Sequence, residues 1–139
     1  MNEASAAPTG EILARWYAAL KAGDLDAFAQ VAAPDIVLRW NGPPDLVPWA
    51  GEHRGRRAAL AFFASVGQAL EILSVETAER MMTADKALLV LDGHWRVRAT
   101  GEELRLRGAN LFTFRDGMVA AYEVFPDSAA FARALAKAA

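Results

Sequence analysis

A strict alternation of apolar and polar residues in the second half of the chain constrains its fold more than any other sequence feature. Between Leu91 and Ala99 the odd-numbered positions are apolar or small, and the even-numbered ones are aspartate, histidine and two arginines. Between Leu104 and Phe114 the apolar residues take the even positions instead. Successive side chains of a strand point to opposite faces, so both segments are predicted to be strands with one face in the core.

The turn between these two strands predicts how they pair. Gly101-Glu102 has the form of a two-residue hairpin turn with glycine first, which would place Trp95 opposite Gly108 and give its indole room. Like charges that face each other destabilise a sheet, so arginines paired on the outer face would need Asp92, Glu123, a partner subunit's acids, a bound phosphate or an acidic protein surface. The predicted arginine pairs are Arg96 with Arg107 and Arg98 with Arg105.

Asn110 is the one strongly polar residue on the inner face of its strand. The next turn, over residues 115–117, would pair Phe114 with Met118 and therefore Asn110 with Tyr122. A buried amide without a partner costs about 1–3 kcal/mol. We therefore expect Asn110 to bind either a ligand or a structural partner such as Tyr122 or the backbone.

Helical periodicity is confined to the first half of the chain and to its last dozen residues. Asp24 is placed as the N-cap of the second helix, and the long segment after Trp40 is predicted to be a loop up to about residue 55. This order predicts an α+β fold with an antiparallel sheet, in one domain over 1–139 with a core over about 9–137. The predicted helices are 9–22, 25–32, 56–70 and 128–137, and the first strand is 36–40.

Composition excludes several classes of function. The chain has 139 residues, a net charge of -2, no cysteine and two histidines. Neither a nucleic-acid role nor a membrane role is expected, since there is no basic excess and no long uncharged apolar run. A metal site is not expected either, because His53 and His94 lack helical ligand spacing. A cytoplasmic protein is the expectation.

Four segments resemble one known family: KAGDLDAF at 21–28, DIVLRW at 35–40, GEHRG at 51–55 and FRDGMV at 114–119. Together they are similar to the nuclear transport factor 2-like superfamily, in its SnoaL-like and ketosteroid-isomerase-like branch. The resemblance implies a cone-shaped, cystatin-like fold in which a strongly bent antiparallel sheet wraps around the N-terminal helices. It also implies a deep pocket, a homodimer formed through the outer sheet face, and neither a metal nor an organic cofactor.

The family's catalytic residues map only partly onto this chain. In ketosteroid isomerases a helix tyrosine and a protonated aspartate hold the oxyanion while a second aspartate moves the proton. By this resemblance the three positions are occupied here by Trp16, Asn110 and Trp40. The usual ketosteroid isomerase reaction is therefore not expected, although the Asn110 amide still provides a hydrogen-bond donor. Epoxide hydrolase chemistry is not expected because Arg107 lacks a neighbouring acid and points outward. Among cyclase-type residues His94 points outward, whereas His53 could reach the pocket mouth as a base.

Two interpretations of the aromatic residues remain open. Trp16, Trp40, Trp95 and Tyr122 would converge on one cavity in the family's fold and bind a flat, mainly apolar molecule, or they simply fill the core. Three functions follow. The chain is a cofactor-free isomerase or cyclase acting on a carbonyl compound through Asn110 and His53, a non-catalytic carrier, or a dimerisation or docking module that uses the outer arginines.

Overall fold

A computed structural model describes residues 2–138, with side chains described from Thr9 onward. The described chain contains four helices and six strands in a mixed α+β arrangement, which confirms the predicted fold class. The helices are α1 (Asn2–Ala22), α2 (Leu25–Val31), α3 (Arg56–Ala69) and α4 (Ser128–Ala138). The strands are β1 (Ala32–Trp40), β2 (Gly51–Arg54), β3 (Leu70–Met82), β4 (Lys86–Val97), β5 (Glu103–Arg115) and β6 (Met118–Phe125).

All six strands form one curved, unclosed sheet in the order β2-β1-β6-β5-β4-β3. Neighbouring strands are antiparallel except β1 and β6, which run parallel. Helices α1, α3 and α4 pack on one face, which we call the inner face, through ring contacts between Trp16 and Phe112, Phe63 and Tyr122, and Phe131 and Trp95. The core lies between these helices and the inner face.

The long predicted loop after Trp40 contains a strand that the sequence analysis did not assign. β2 pairs with the second half of β1, with Leu38 opposite His53 and Trp40 opposite Gly51. Its four residues are too few to show a periodic pattern, so the glycines and prolines of the segment led to the prediction of a loop. The Asp24 cap is confirmed, since the Ala27 N–H donates to Asp24 Oδ1 over 3.1 Å.

The predicted pairing of β4 with β5 is wrong by four residues. Trp95 lies opposite Leu104, and Gly108 lies opposite Leu91. The chain turns earlier than predicted, because the Gly101 N–H donates to the Val97 carbonyl over 2.7 Å and closes a longer loop. A four-residue slip preserves the alternation, so the assignment of side chains to the inner and outer faces holds although the partners change.

The glycine that makes room for Trp95 is Gly93 and not Gly108. A Cβ added at Gly93 would lie 2.0 Å from the Trp95 indole, whereas one at Gly108 would meet the Phe125 carbonyl oxygen at 3.0 Å. Gly93 and Trp95 are two positions apart on one strand and therefore share a face. The indole thus lies along its own strand over the missing side chain.

The pairing of β5 with β6 also differs from the prediction. Asn110 lies opposite Val124, and it is Phe112 that lies opposite Tyr122. Phe114 pairs with Val119 and not with Met118, because the turn holds only Asp116 and Gly117 and Arg115 pairs with Met118. A bulge between Thr113 and Phe114 then shifts the register by one more residue. A bulge of this kind inserts one residue and cannot be recognised from the alternation on the other strand alone.

The predicted arginine pairs on the outer face do not form. Arg107 lies opposite Asp92, and its Nε donates to Asp92 Oδ1 over 2.9 Å. This hydrogen bond lowers the pKa of the Asp92 carboxyl. Arg96 lies opposite Glu103 and forms an ion pair with Glu71. The corrected register therefore supplies the acidic partners that the sequence analysis required. Arg98 lies beyond β4 and donates to the Gly67 carbonyl, and Arg105 lies opposite His94.

Candidate functional site

Asn110 lies on the inner face of β5, with 7% of its surface exposed. Its side-chain amide donates to the Tyr17 hydroxyl oxygen over 3.2 Å, which links β5 to α1. The predicted partner, Tyr122, is replaced by Tyr17 because of the shifted register. Tyr17 was not predicted as a site residue, although it lies on the apolar face of α1 one position after Trp16.

Burial raises the pKa of Tyr17, while the hydrogen bond from Asn110 and the positive charge of Arg80 act in the opposite direction. The net direction is upward, so Tyr17 is protonated at neutral pH. Because its oxygen accepts from Asn110, its own proton is left to donate to another acceptor. The pair can therefore offer a ligand one neutral hydrogen-bond donor, the Tyr17 O–H, whose position Asn110 fixes.

Trp16 and Tyr122 belong to the aromatic group at the centre of the core. Trp16 has no exposed surface, and its ring centroid lies 5.1 Å from that of Tyr122. Its indole N–H is buried and has no hydrogen-bond partner among the residues that the structure describes. Burial raises the pKa of Tyr122 well above its ordinary value. The other rings around Trp16 are Phe28, Phe63 and Phe112.

Trp40 and Trp95 belong to a different group, centred on Phe131 of α4. Their ring centroids lie 5.7 Å and 5.3 Å from that of Phe131. Trp49 joins this group by an edge contact with Trp40, and its buried indole N–H also finds no hydrogen-bond acceptor in the described part of the chain. Trp49 carried no sequence signal, because the segment around it has no periodicity. The structure thus separates the four predicted rings into two groups, and their role in binding stays a prediction.

His53 is half-buried on β2, with its ring 5.3 Å from that of Phe62. Its Nε2 lies 2.8 Å from the Trp49 carbonyl oxygen. A carbonyl oxygen only accepts, so Nε2 carries the proton and Nδ1 is the basic nitrogen of the neutral ring. Two strands separate β2 from β5 in the sheet, which places His53 roughly 14 Å from Asn110 along the sheet. The two candidate catalytic residues are therefore not in contact.

The helices leave part of the inner face uncovered beside the Tyr17–Asn110 pair. On β3, Ile72 and Val75 are 63% and 41% exposed although they face inward, opposite Trp95 and Gly93. We call this part of β3, β4 and β5 the open inner surface. Its apolar side chains lie next to a partly buried polar pair, which suits a ligand with an apolar body and one polar end. Its remaining apolar members are the half-buried Leu91 and Leu106.

Two clefts lie elsewhere on the surface. One, of about 420 Å³, crosses the outer face between Ser74, Asp92, His94 and Arg105. The other, of about 300 Å³, lies between α1 and α2. Neither is lined by a residue predicted for the site. No group of three or more acidic or histidine side chains in the described part of the chain could hold a metal ion, and none of its helices has the length and apolarity to cross a bilayer.

A family model for the SnoaL-like domain matches residues 13–122, which is most of the chain. The chain belongs to this family. The match includes α2, α3 and the strands up to Tyr122, and it confirms the predicted nuclear transport factor 2-like superfamily. No curated protein matches the chain.

Solved structures share the fold along most of the chain. A nuclear transport factor 2-like protein from Burkholderia xenovorans is 26% identical, with a TM-score of 0.84 over 96% of this chain and 97% of its own. TerC, co-crystallised with polyporic acid, is 22% identical with a TM-score of 0.77 over 91% and 96%. A Catenulispora acidiphila protein with a ketosteroid isomerase-like fold, in complex with trimethylamine, is 15% identical with a TM-score of 0.68 over 83% and 84%.

Proposed function

We propose that this protein binds a small, mainly apolar, carbonyl-bearing molecule on the open inner surface. The observation that carries the proposal is the partly buried hydrogen bond from Asn110 to the Tyr17 hydroxyl. The ligand's carbonyl oxygen would accept a hydrogen bond from the Tyr17 hydroxyl, and the ligand's apolar body would cover Val75, Leu91 and Leu106. Two structural neighbours hold small organic molecules, polyporic acid in one and trimethylamine in the other.

The Tyr17–Asn110 pair suits a carbonyl group whose oxygen becomes more negative during a reaction. A fixed donor in a partly water-excluded site stabilises such an oxygen more than it stabilises the neutral ketone. With a base to remove a proton from the adjacent carbon, the site would act as a cofactor-free isomerase or cyclase. His53, the base that the sequence suggested, lies roughly 14 Å from Asn110 and cannot reach that carbon directly, so the base would have to be water or a group of the ligand itself. Without such a base the same surface would serve as a carrier.

The binding proposal is tested with 2-acetylnaphthalene, a neutral aromatic ketone, titrated while tryptophan fluorescence is followed. We expect saturable quenching, and a three- to tenfold weaker affinity in Tyr17→Phe and Asn110→Leu, because each removes one neutral hydrogen bond or its support. Tyr122→Phe is the matched control, since it removes the hydroxyl of the other tyrosine, and its affinity should stay within twofold. An absence of saturable quenching, or equal affinity in all four proteins, would contradict the proposal.

Proton exchange distinguishes an enzyme from a carrier that binds the ligand without reaction. In D₂O an enzyme of this type should replace the methyl protons of 2-acetylnaphthalene with deuterium, which NMR detects as a loss of the methyl signal. We expect exchange above the buffer rate, slowed in Tyr17→Phe and unchanged in His53→Ala, because His53 is too far from the Tyr17–Asn110 pair to remove the proton. Binding without exchange would identify a carrier, and exchange that is lost in His53→Ala would show that His53 does act as the base.

We further propose that two copies form a homodimer through the outer sheet face, the alternative docking function. No helix of the described chain packs on that face, where Met81 and Phe125 are 59% and 44% exposed. Arg105 makes no ion pair there among the described residues, while Glu76 and Glu79 are exposed on the same face. A second copy would supply both the missing acid and the apolar cover.

Sedimentation of the purified protein over a range of concentrations tests the dimer. Phe125→Glu and the charge reversal Arg105→Glu should shift the equilibrium toward monomer, whereas Ile72→Glu, on the inner face, should not. A monomer at every concentration, or dissociation caused equally by Ile72→Glu, would contradict this interface.

A further inference from the structure

Arg80 lies on the inner face of β3, in line with the Tyr17–Asn110 pair. In the sheet register Arg80 is opposite Leu89, and Leu89 is opposite Asn110. Leu89 is 1% exposed and faces the core, so its two neighbours in this row, Arg80 and Asn110, lie on the inner face as well. Met82, two residues further along β3, packs against the same core. Arg80 therefore borders the open inner surface on its solvent side.

The guanidinium of Arg80 makes no hydrogen bond or ion pair with the side chains described for residues 9–138. Some other arginines differ, since Arg107 binds Asp92 and Arg96 binds Glu71, whereas Arg105 on the outer face also lacks an ion pair among the described residues. Arg80 is nevertheless close enough to Tyr17 for its charge to oppose the rise in the pKa of that hydroxyl. A cation that pairs with none of the described side chains thus faces the surface on which the proposed ligand lies.

We infer that Arg80 binds a carboxylate on the ligand, so that the ligand is an apolar keto acid and not a neutral ketone. This inference rests on the proposed function, because it assumes that the ligand's carbonyl group lies at Tyr17. The planar guanidinium forms two parallel hydrogen bonds with a carboxylate, which fixes the orientation as well as the position of the acid group. A single positive charge matches a single negative one.

The spacing of the strands sets the length of such a ligand. Two strand intervals separate Arg80 from Asn110, which puts their Cα atoms roughly 10 Å apart. A keto group and a carboxylate at opposite ends of a two-ring aromatic body span a similar distance. The apolar rings would then lie over Leu91 and Gly108, which are paired in the adjacent row.

A matched pair of probes tests this role: 2-acetylnaphthalene, and 6-acetyl-2-naphthoate, which adds only the carboxylate. We expect the wild-type protein to bind the acid at least tenfold more tightly than the ketone. Arg80→Gln should lower the affinity for the acid about tenfold and leave the affinity for the neutral ketone within twofold, because only the charged contact is lost. Arg80→Lys should restore part of the preference, since it keeps the charge and loses the planar fork.

Arg105→Gln is the control, because Arg105 is also an exposed arginine without an ion pair but lies on the outer face. It should leave both affinities unchanged. If both probes bind through Tyr17 and Asn110 but Arg80→Gln does not distinguish them, the inference is overturned and the proposed function stands. If Arg105→Gln lowers the affinity for the acid as much as Arg80→Gln does, the preference for the acid is a general charge effect and the inference is also overturned. If neither probe binds the wild-type protein, the proposed function itself fails.

Discussion

Gly93 and Trp95 show how one residue without a side chain can position a large one. The indole of Trp95 occupies the space above Gly93 and rests edge-on against Phe131. The sequence indicated correctly that a glycine makes room for this indole, but it selected the glycine expected across the hairpin. A glycine two positions away on the same strand serves equally well, and nothing in the local sequence separates these two arrangements.

Gly93→Ala should destabilise the protein by about 1–3 kcal/mol, because its Cβ would lie within 3 Å of three indole atoms and the ring would have to move. Equilibrium unfolding in urea measures the change. Gly67→Ala, in α3, is the control, since its Cβ meets nothing within 4 Å and alanine favours a helix by up to about 1 kcal/mol. Equal effects of the two substitutions would show that the indole does not depend on the space at Gly93.

Elements were predicted more reliably than their pairing. The faces of β4 and β5 follow from many apolar side chains that must all be buried together, so the alternation specifies them strongly. Their register depends on a single turn, in which the loop closed between Val97 and Gly101 replaced the expected two-residue turn. Between β5 and β6 the shorter turn and the bulge each shifted the register by one residue, and together they moved Asn110 away from Tyr122. The burial of Asn110 on the inner face was therefore predicted, but its hydrogen-bond partner was not.

The N-cap of α2 offers a test of an element that the sequence did predict. Asp24→Ala should lower the free energy of unfolding by about 1 kcal/mol, because the Ala27 N–H would lose its acceptor. Asp24→Asn keeps an acceptor at the same position and should stay close to wild type. Urea unfolding compares the two variants, and an equal loss in both would assign the effect to charge instead of the cap.

At the scale of the whole molecule, the fold class and the family were predictable, because they depend on the order of elements and on patterns spread over the chain. The parallel contact between β1 and β6 was not, since it joins segments more than eighty residues apart. The Tyr17–Asn110 bond has the same origin, with 93 positions between its two residues. Long-range contacts of this kind are set by how layers pack and not by local sequence.

The two tyrosines link the stability of the whole molecule to alkaline pH. Burial raises the pKa of both above the ordinary value of 10.0, so the folded state keeps their protons when the unfolded state releases them. The resulting stability is fully present below about pH 10 and is lost as the pH rises through the folded-state values. Tyrosinate absorbance should therefore rise at higher pH in the native protein than in urea. Tyr122→Phe should reduce the alkaline loss of stability, and coincident titrations in both states would refute the link.

The strand β3 ends the sheet and exposes most of its 13 residues. A long strand with an open edge is a template on which further chains can add as extra strands and grow into fibrils. Glu71, Glu76, Glu79 and Arg80 place charges along this strand, and charged side chains at an edge oppose such growth. The surface that leaves room for a ligand thus carries its own protection against amyloid-like stacking.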